Sequence, residues 1–135
     1  MVRSQRRQAG LVHPGTSELD LLDVLHALSD PTRMTIVRTL VASPERACGT
    51  FPVEVAASTL SHHFRVLREA GVIRQREDGN RRWTSLRDHD LAERFPGLLA
   101  TIVAADARQQ QRAEPVAAGA SPSSWNDGSP ATPGR

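Results

Sequence analysis

Lysine is missing from this 135-residue chain, and every one of its 17 basic residues is arginine. With the heavy use of Ala, Gly and Pro, that is what a GC-rich coding sequence produces; it bears on origin, not function. Cysteine is almost absent as well. Cys48 stands alone, so no internal disulfide can form, nothing marks an oxidising compartment, and the cytoplasm is the expected location. There is no run of about 18 apolar residues, which argues against a membrane span. Arg3, Arg6 and Arg7 near the start are not followed by the apolar stretch of a signal peptide, so export is not expected. A glycine-rich phosphate loop, a nucleophile elbow and a paired acid and base are all lacking, and no enzyme is expected. The formal charge is only +2, so the placement of the arginines carries more information than their sum.

Three regions are legible. Residues 1–15 have no period and end in Pro14-Gly15, as a flexible basic arm would. Residues 112–135 are dominated by Ala, Gly, Pro and Ser and cannot bury enough apolar area to offset the entropy of ordering, so a disordered tail is expected, with Trp125 in it a docking residue for a partner or, more plainly, an exposed ring without a role. Between them, residues 16–111 read as one domain.

The domain opens with an amphipathic helix from Thr16, in which Leu19, Leu22, Leu25 and Leu28 recur at a spacing of three and Leu21 and Val24 widen the stripe. Asp30 can cap a second helix over 31–42, with Pro31 in its first turn and Met34, Ile36, Val37, Leu40 and Val41 on its apolar positions. A looser segment over 45–55 follows. A third helix starts at Ser58 or a neighbour, turns Leu60, Phe64 and Leu67 to the core, and stops at Ala70-Gly71, where glycine is free to take the left-handed cap. Two extended stretches, 72–77 and 81–86, flank the turn signal Asp78-Gly79-Asn80 and predict a β-hairpin. A last helix begins near Leu91 or at Pro96 and carries Leu98, Leu99, Ile102 and Val103 to about residue 111.

The third helix leaves Ser58, Ser61, His62, Arg65 and Glu69 opposite its apolar stripe, with Thr59 beside them. Short hydroxyls, an imidazole and an arginine in the first turns of a helix can reach base edges and phosphates in a major groove. An isolated amphipathic helix with such a face is usually just solvated, but its neighbours alter the balance. From Arg65 to Arg87 seven arginines face three acids, a net of +4 in one helix and one hairpin. Arg81 and Arg82, beside the turn, are the best placed for phosphate or minor-groove contact. Thr32 and Arg33 at the start of the second helix suit a phosphate. His63, next to the apolar side, reads as a packed and hydrogen-bonded core histidine, while His62 points away; His13 and His26 are given no role.

At these residues the chain resembles the ArsR/SmtB-type winged helix-turn-helix repressors. Ala27-Leu28-Ser29-Asp30-Pro31-Thr32-Arg33, followed by Ile36-Val37-Arg38-Thr39-Leu40, is similar to the opening of that family. Ser58-Thr59-Leu60-Ser61-His62-His63-Phe64-Arg65-Val66-Leu67-Arg68-Glu69-Ala70-Gly71-Val72-Ile73 is similar to its recognition helix. The resemblance implies a mainly α fold with a two-stranded β-hairpin wing, in the order α-α-α-α-β-β-α. It further implies a homodimer through the first and last helices that binds an inverted-repeat operator in double-stranded DNA and represses transcription. The rival reading is a winged helix used as a protein-interaction module.

The signal sensed is less legible. Many relatives hold a thiophilic metal through a Cys-x-Cys pair at the helix before the recognition helix. Here that stretch reads Arg46-Ala47-Cys48-Gly49-Thr50-Phe51, with Thr50 in place of the second cysteine, so a complete site of that kind is not expected. Other relatives bind nickel or zinc on the last helix. Asp88 and His89, with Asp90, are candidates, but the distal ligands are replaced by Ala and Thr, and the three read more simply as a polar helix start. Cys48 near Arg46 is a candidate thiol switch, against the plainer reading of a small buried residue. No cofactor is expected, and the chemistry of any small inducer is left open.

Overall fold

The computed structural model describes residues 11–118, with side chains to residue 112. A 3-10 turn at Thr16–Glu18 leads into helix α1 (Leu21–Leu28) and helix α2 (Pro31–Ala42). Strand β1 (Glu45–Ala47) and a second 3-10 turn, Cys48–Thr50, precede helix α3 (Ala57–Ala70). The hairpin is β2 (Ile73–Asp78) and β3 (Arg81–Leu86), followed by helix α4 (Asp88–Arg94) and helix α5 (Leu98–Ala118). Among these residues, 11–100 form one compact unit and 101–118 belong to a second.

The chain is mostly helical with a small antiparallel wing, a winged helix-turn-helix. α1 and α2 both pack on α3, and α3 packs on β2. Ile36, Val37, Leu40, Leu67, Val72, Ile73 and Leu91 are each nearly or wholly buried. Burial of such side chains contributes about 1.5–3 kcal/mol apiece.

Several elements depart from the sequence reading. The long first helix is split: Leu19 is buried ahead of α1, and Asp20 caps the helix by accepting from the Asp23 N–H at 3.1 Å. Only Val24, Ala27 and Leu28 of α1 reach the core, while Leu21, Leu22 and Leu25 are exposed. The spacing of three runs obliquely around a helix of 3.6 residues per turn, so it does not hold one face. Val41 of α2 is likewise exposed.

The looser segment contains a strand, and the stretch taken by resemblance for a further helix is β1 and one 3-10 turn. β1 adds to the wing as a third strand, giving the order β1-β3-β2 with Arg46 opposite Thr84. Gly49, Pro52 and the β-branched Thr50, Val53 and Val55 explain why no α-helix continues there.

Residues 11–15, expected as the end of a loose arm, are packed. Leu11 is buried, Pro14 accepts from an Arg87 guanidinium nitrogen at 2.8 Å, and His13 Nε2 accepts from the Gln75 N–H at 3.0 Å. Arg3, Arg6 and Arg7 lie outside the described residues, as does Trp125. Instead of one last helix starting near Leu91 or at Pro96 there are two: α4 starts earlier, at Asp88, Gly97 after it takes φ 81°, and α5 starts at Leu98 and runs beyond residue 111. Among the described residues no helix is long and apolar enough to cross a membrane.

Candidate nucleic-acid interface

The site begins with how α3 is held. Asp30 caps α2, its carboxylate accepting from the Arg33 N–H at 3.1 Å. The Arg33 side chain then turns inward and is only 7% exposed. Its guanidinium donates to the Ala27 carbonyl at 2.7 Å, to the His26 carbonyl at 3.4 Å, and to His63 Nδ1 at 3.0 Å. The carbonyls belong to the last turn of α1, whose final C=O groups have no partner within their own helix. One cation therefore caps α1, starts from α2 and grips α3.

That arrangement corrects one site residue. Arg33, expected at a phosphate, is a buried structural cation. Thr32 beside it is half-buried at the start of α2. His63 is packed and hydrogen-bonded, as its place next to the apolar stripe suggests.

With Phe64, Leu67 and Ala70 buried, the opposite side of α3 is open. Ser58, Thr59, Ser61, His62, Arg65 and Glu69 are all exposed. No side chain caps the first turn of the helix. At the other end Gly71 takes φ 86° and its N–H bonds back to the Arg68 carbonyl at 3.0 Å.

The wing continues the surface. Arg81 and Arg82 are exposed at the start of β3, one residue pair from the turn, where Asp78 faces Arg81. Arg81 lies 5.9 Å from the centre of the Trp83 ring, and Arg76 approaches the same ring at the same distance. Arg82 donates to Glu77 at 2.7 Å, with both side chains about half exposed. Such surface pairs are worth about 1 kcal/mol or less and are readily exchanged for a phosphate. Arg74 and Arg76 are paired to Asp90 and Glu45.

The sensor candidates fall elsewhere. Asp88 and His89 are exposed at the start of α4, and Asp88 accepts from the His89 N–H at 2.9 Å. Asp90 turns instead to Arg87, whose hydrogen bond at 2.9 Å holds its carboxyl below the usual range. Among the described residues no three His, Cys, Asp or Glu side chains gather around a common point. Cys48 is half-buried, and Arg46 donates to the Thr50 carbonyl and lies 5.6 Å from the centre of the Phe51 ring. The thiol meets the Thr84 hydroxyl at 3.3 Å and accepts from the Gln75 amide at 3.2 Å.

Gln75 was not foreseen. It sits at the centre of a polar knot, 3% exposed, donating also to Thr84 at 3.0 Å and accepting from Arg68 at 2.7 Å. A glutamine in a strand flanked by arginines carries no pattern that announces this.

Comparison with known proteins agrees with the geometry. A family model described as a helix-turn-helix domain matches residues 28–76. YceK of Bacillus subtilis strain 168, an uncharacterized HTH-type transcriptional regulator, is 38% identical over 82 residues, which span 58% of this chain and 82% of that protein. The crystal structure of Rv0081 from M. tuberculosis is similar with a TM-score of 0.52 and 33% identity, covering 67% of this chain and 89% of that one. RHA00566, an ArsR family transcriptional regulator, shares the fold with a TM-score of 0.50 and 21% identity, over 76% of this chain and 97% of that one.

Proposed function

The chain belongs to the DNA-binding helix-turn-helix transcriptional regulators, with the ArsR-type winged fold, and we propose that it acts as a homodimeric repressor on an inverted-repeat operator. The observation that carries this reading is the division of α3: one side locked into the core through Phe64, Leu67 and the Arg33–His63 contact, the other a free row of short polar side chains. A helix of that kind enters a major groove without disturbing the fold.

In the complex Ser58, Thr59, Ser61, His62 and Arg65 read or position on base edges and adjacent phosphates. Arg81 and Arg82 follow the backbone or the neighbouring minor groove, and Thr32 meets a phosphate. A second copy covers the exposed leucines of α1 and the face that Leu98, Leu99, Ile102 and Val103 share on α5. Leu22 is 71% exposed, and a large apolar side chain so placed suits an interface better than solvent. The pair then presents two recognition helices to successive grooves about 34 Å apart, and bound there it blocks transcription.

The experiment is a titration of the purified protein onto the DNA upstream of its own gene, with excess nonspecific competitor and at several salt concentrations. Repression predicts competitor-resistant binding at one inverted repeat, about a thousandfold tighter than to random DNA, and a steep loss of affinity with salt. Absence of any preferred sequence, or of salt dependence, would turn the arginine surface over to an acidic protein partner.

A further inference from the structure

Between α3 and the wing lies a cavity of about 480 Å³, within the size range of small-ligand sites. Leu60 and Phe64 of α3 form an apolar wall. Arg68, Gln75 and Cys48 line it as polar groups, together with Arg81 and Arg82. Glu77 also lines it, but its carboxylate is taken by Arg82.

Arg68 is the anomaly. One of its guanidinium nitrogens is spent on Gln75, a neutral acceptor. Its Nε is buried and has no partner, a state shared among the described residues with Arg46 Nε, which does not line the cleft. Among the described residues no carboxylate pairs with it, although Arg74, Arg76, Arg82 and Arg87 are each paired. Arg68 is half-buried, and a cation partly removed from water is ordinarily matched by an anion or by hydrogen bonds to its donors. Burial also lowers the pKa of Arg68; Glu69 opposes this, and Arg82 and Arg65 add repulsion.

We propose that this cleft binds a small organic anion, a carboxylate on an apolar body, with the carboxylate on the Arg68 guanidinium and the body against Leu60 and Phe64. A planar carboxylate presented edge-on fits the guanidinium fork, taking a free terminal nitrogen and, with a small rotation of the side chain, Nε. DNA itself fits less well. A phosphodiester carries a sugar on either side and no apolar body for the Leu60 and Phe64 wall. The site stands on its own geometry; its consequence rests on the DNA-binding reading, since a molecule held between recognition helix and wing alters the surface offered to DNA and makes the protein responsive to that anion.

The test uses the full chain, with benzoate as probe, benzyl alcohol as its neutral counterpart and inorganic phosphate as an anion without an apolar body. Cys48 is the sole cysteine and lines the cleft, so its alkylation by iodoacetamide, followed by intact mass, reports occupancy. Benzoate is expected to slow alkylation saturably, about fivefold at four times its dissociation constant, with benzyl alcohol and phosphate much weaker. Arg68→Gln should weaken the protection by about tenfold or more. Nitrogen-15 spectra of the unaltered protein give a reading that does not depend on how the variant folds: the Arg68 Nε–H resonance should move along the same saturation curve. Neither protection nor a shift at about 50 mM benzoate overturns the site. Equal protection by benzyl alcohol or by phosphate, or undiminished protection in a folded Arg68→Gln, overturns it too. DNA affinity is measured separately; benzoate binding without any DNA binding upholds the site and removes the DNA reading, and the converse result does the opposite.

Discussion

The Arg33 guanidinium of α2 lies 3.0 Å from Nδ1 of His63 on α3, and the same side chain holds the last carbonyls of α1. A guanidinium can only donate, so Nδ1 accepts in this contact. Truncating Arg33 to Ala strands two carbonyls and an imidazole nitrogen, and we expect a loss of about 2–4 kcal/mol. Arg33→Lys should recover little, because an ammonium cannot span three acceptors in one plane. Thermal unfolding checks the loss. The dependence of DNA affinity on salt should stay unchanged in the folded fraction, which distinguishes a buried cap from a phosphate contact.

Wing and recognition helix should respond differently. Arg81→Ala and Arg82→Ala are expected to weaken binding to all sequences alike and each to lower the slope of log affinity against log salt by about 1. His62→Ala or Ser61→Ala should instead change the preference between operator variants by about 1–3 kcal/mol at single base pairs. Fluorescence anisotropy on a panel of duplexes separates the two patterns, and a uniform loss on changing His62 would count against its place on a base edge.

Leu22→Glu puts a charge on the exposed face of α1. Its fold should survive, since Leu22 is 71% exposed, but a dimer closed over that face should dissociate. Sedimentation velocity gives the answer, and an unaltered mass would place the interface elsewhere.

Two glycines share a left-handed backbone but not its surroundings. At Gly71 a Cβ would stand 2.0 Å from Leu19 Cδ2, whereas at Gly79 it meets nothing. Gly79→Ala should cost only the strain of φ 67°, about 1–2 kcal/mol. Gly71→Ala should cost clearly more, because Leu19 is buried and has to move. Denaturant midpoints of the two variants make the comparison.

His13 offers a test by pH. Burial, with Arg68, Arg74 and Arg87 nearby, lowers its pKa from 6.5 to about 4. The fold thus favours the neutral ring that accepts from Gln75. Its contribution is fully present above about pH 6.5 and is lost as pH falls from there towards 4. Discounted for partial exposure, the loss is about 1 kcal/mol. His13→Gln, which can still accept but cannot titrate, should flatten that limb of the stability profile.

Periodicity and capping chemistry were enough for much of the architecture. Asp30-Pro31 marks the start of α2, Gly71 the end of α3, and Asp78-Gly79-Asn80 the wing, because each states a local backbone requirement that few other residues meet. The open face of α3 was legible for the same reason, as Phe64 and Leu67 repeat at helical spacing and leave the polar row opposite.

Long-range partners were not legible. Strand β1 exists because β3 offers it an edge far along the chain, where Arg46 stands opposite Thr84. Arg33 reads as a surface cation until three helices converge on it. Likewise Arg68 is one arginine among seven until folding half-buries it beside Gln75, with its Nε unpartnered. Local sequence dictates caps, turns and helical faces through contacts within a few residues. The fate of a side chain long enough to point either inward or out is decided by which carbonyls, rings and carboxylates the rest of the chain brings within its reach.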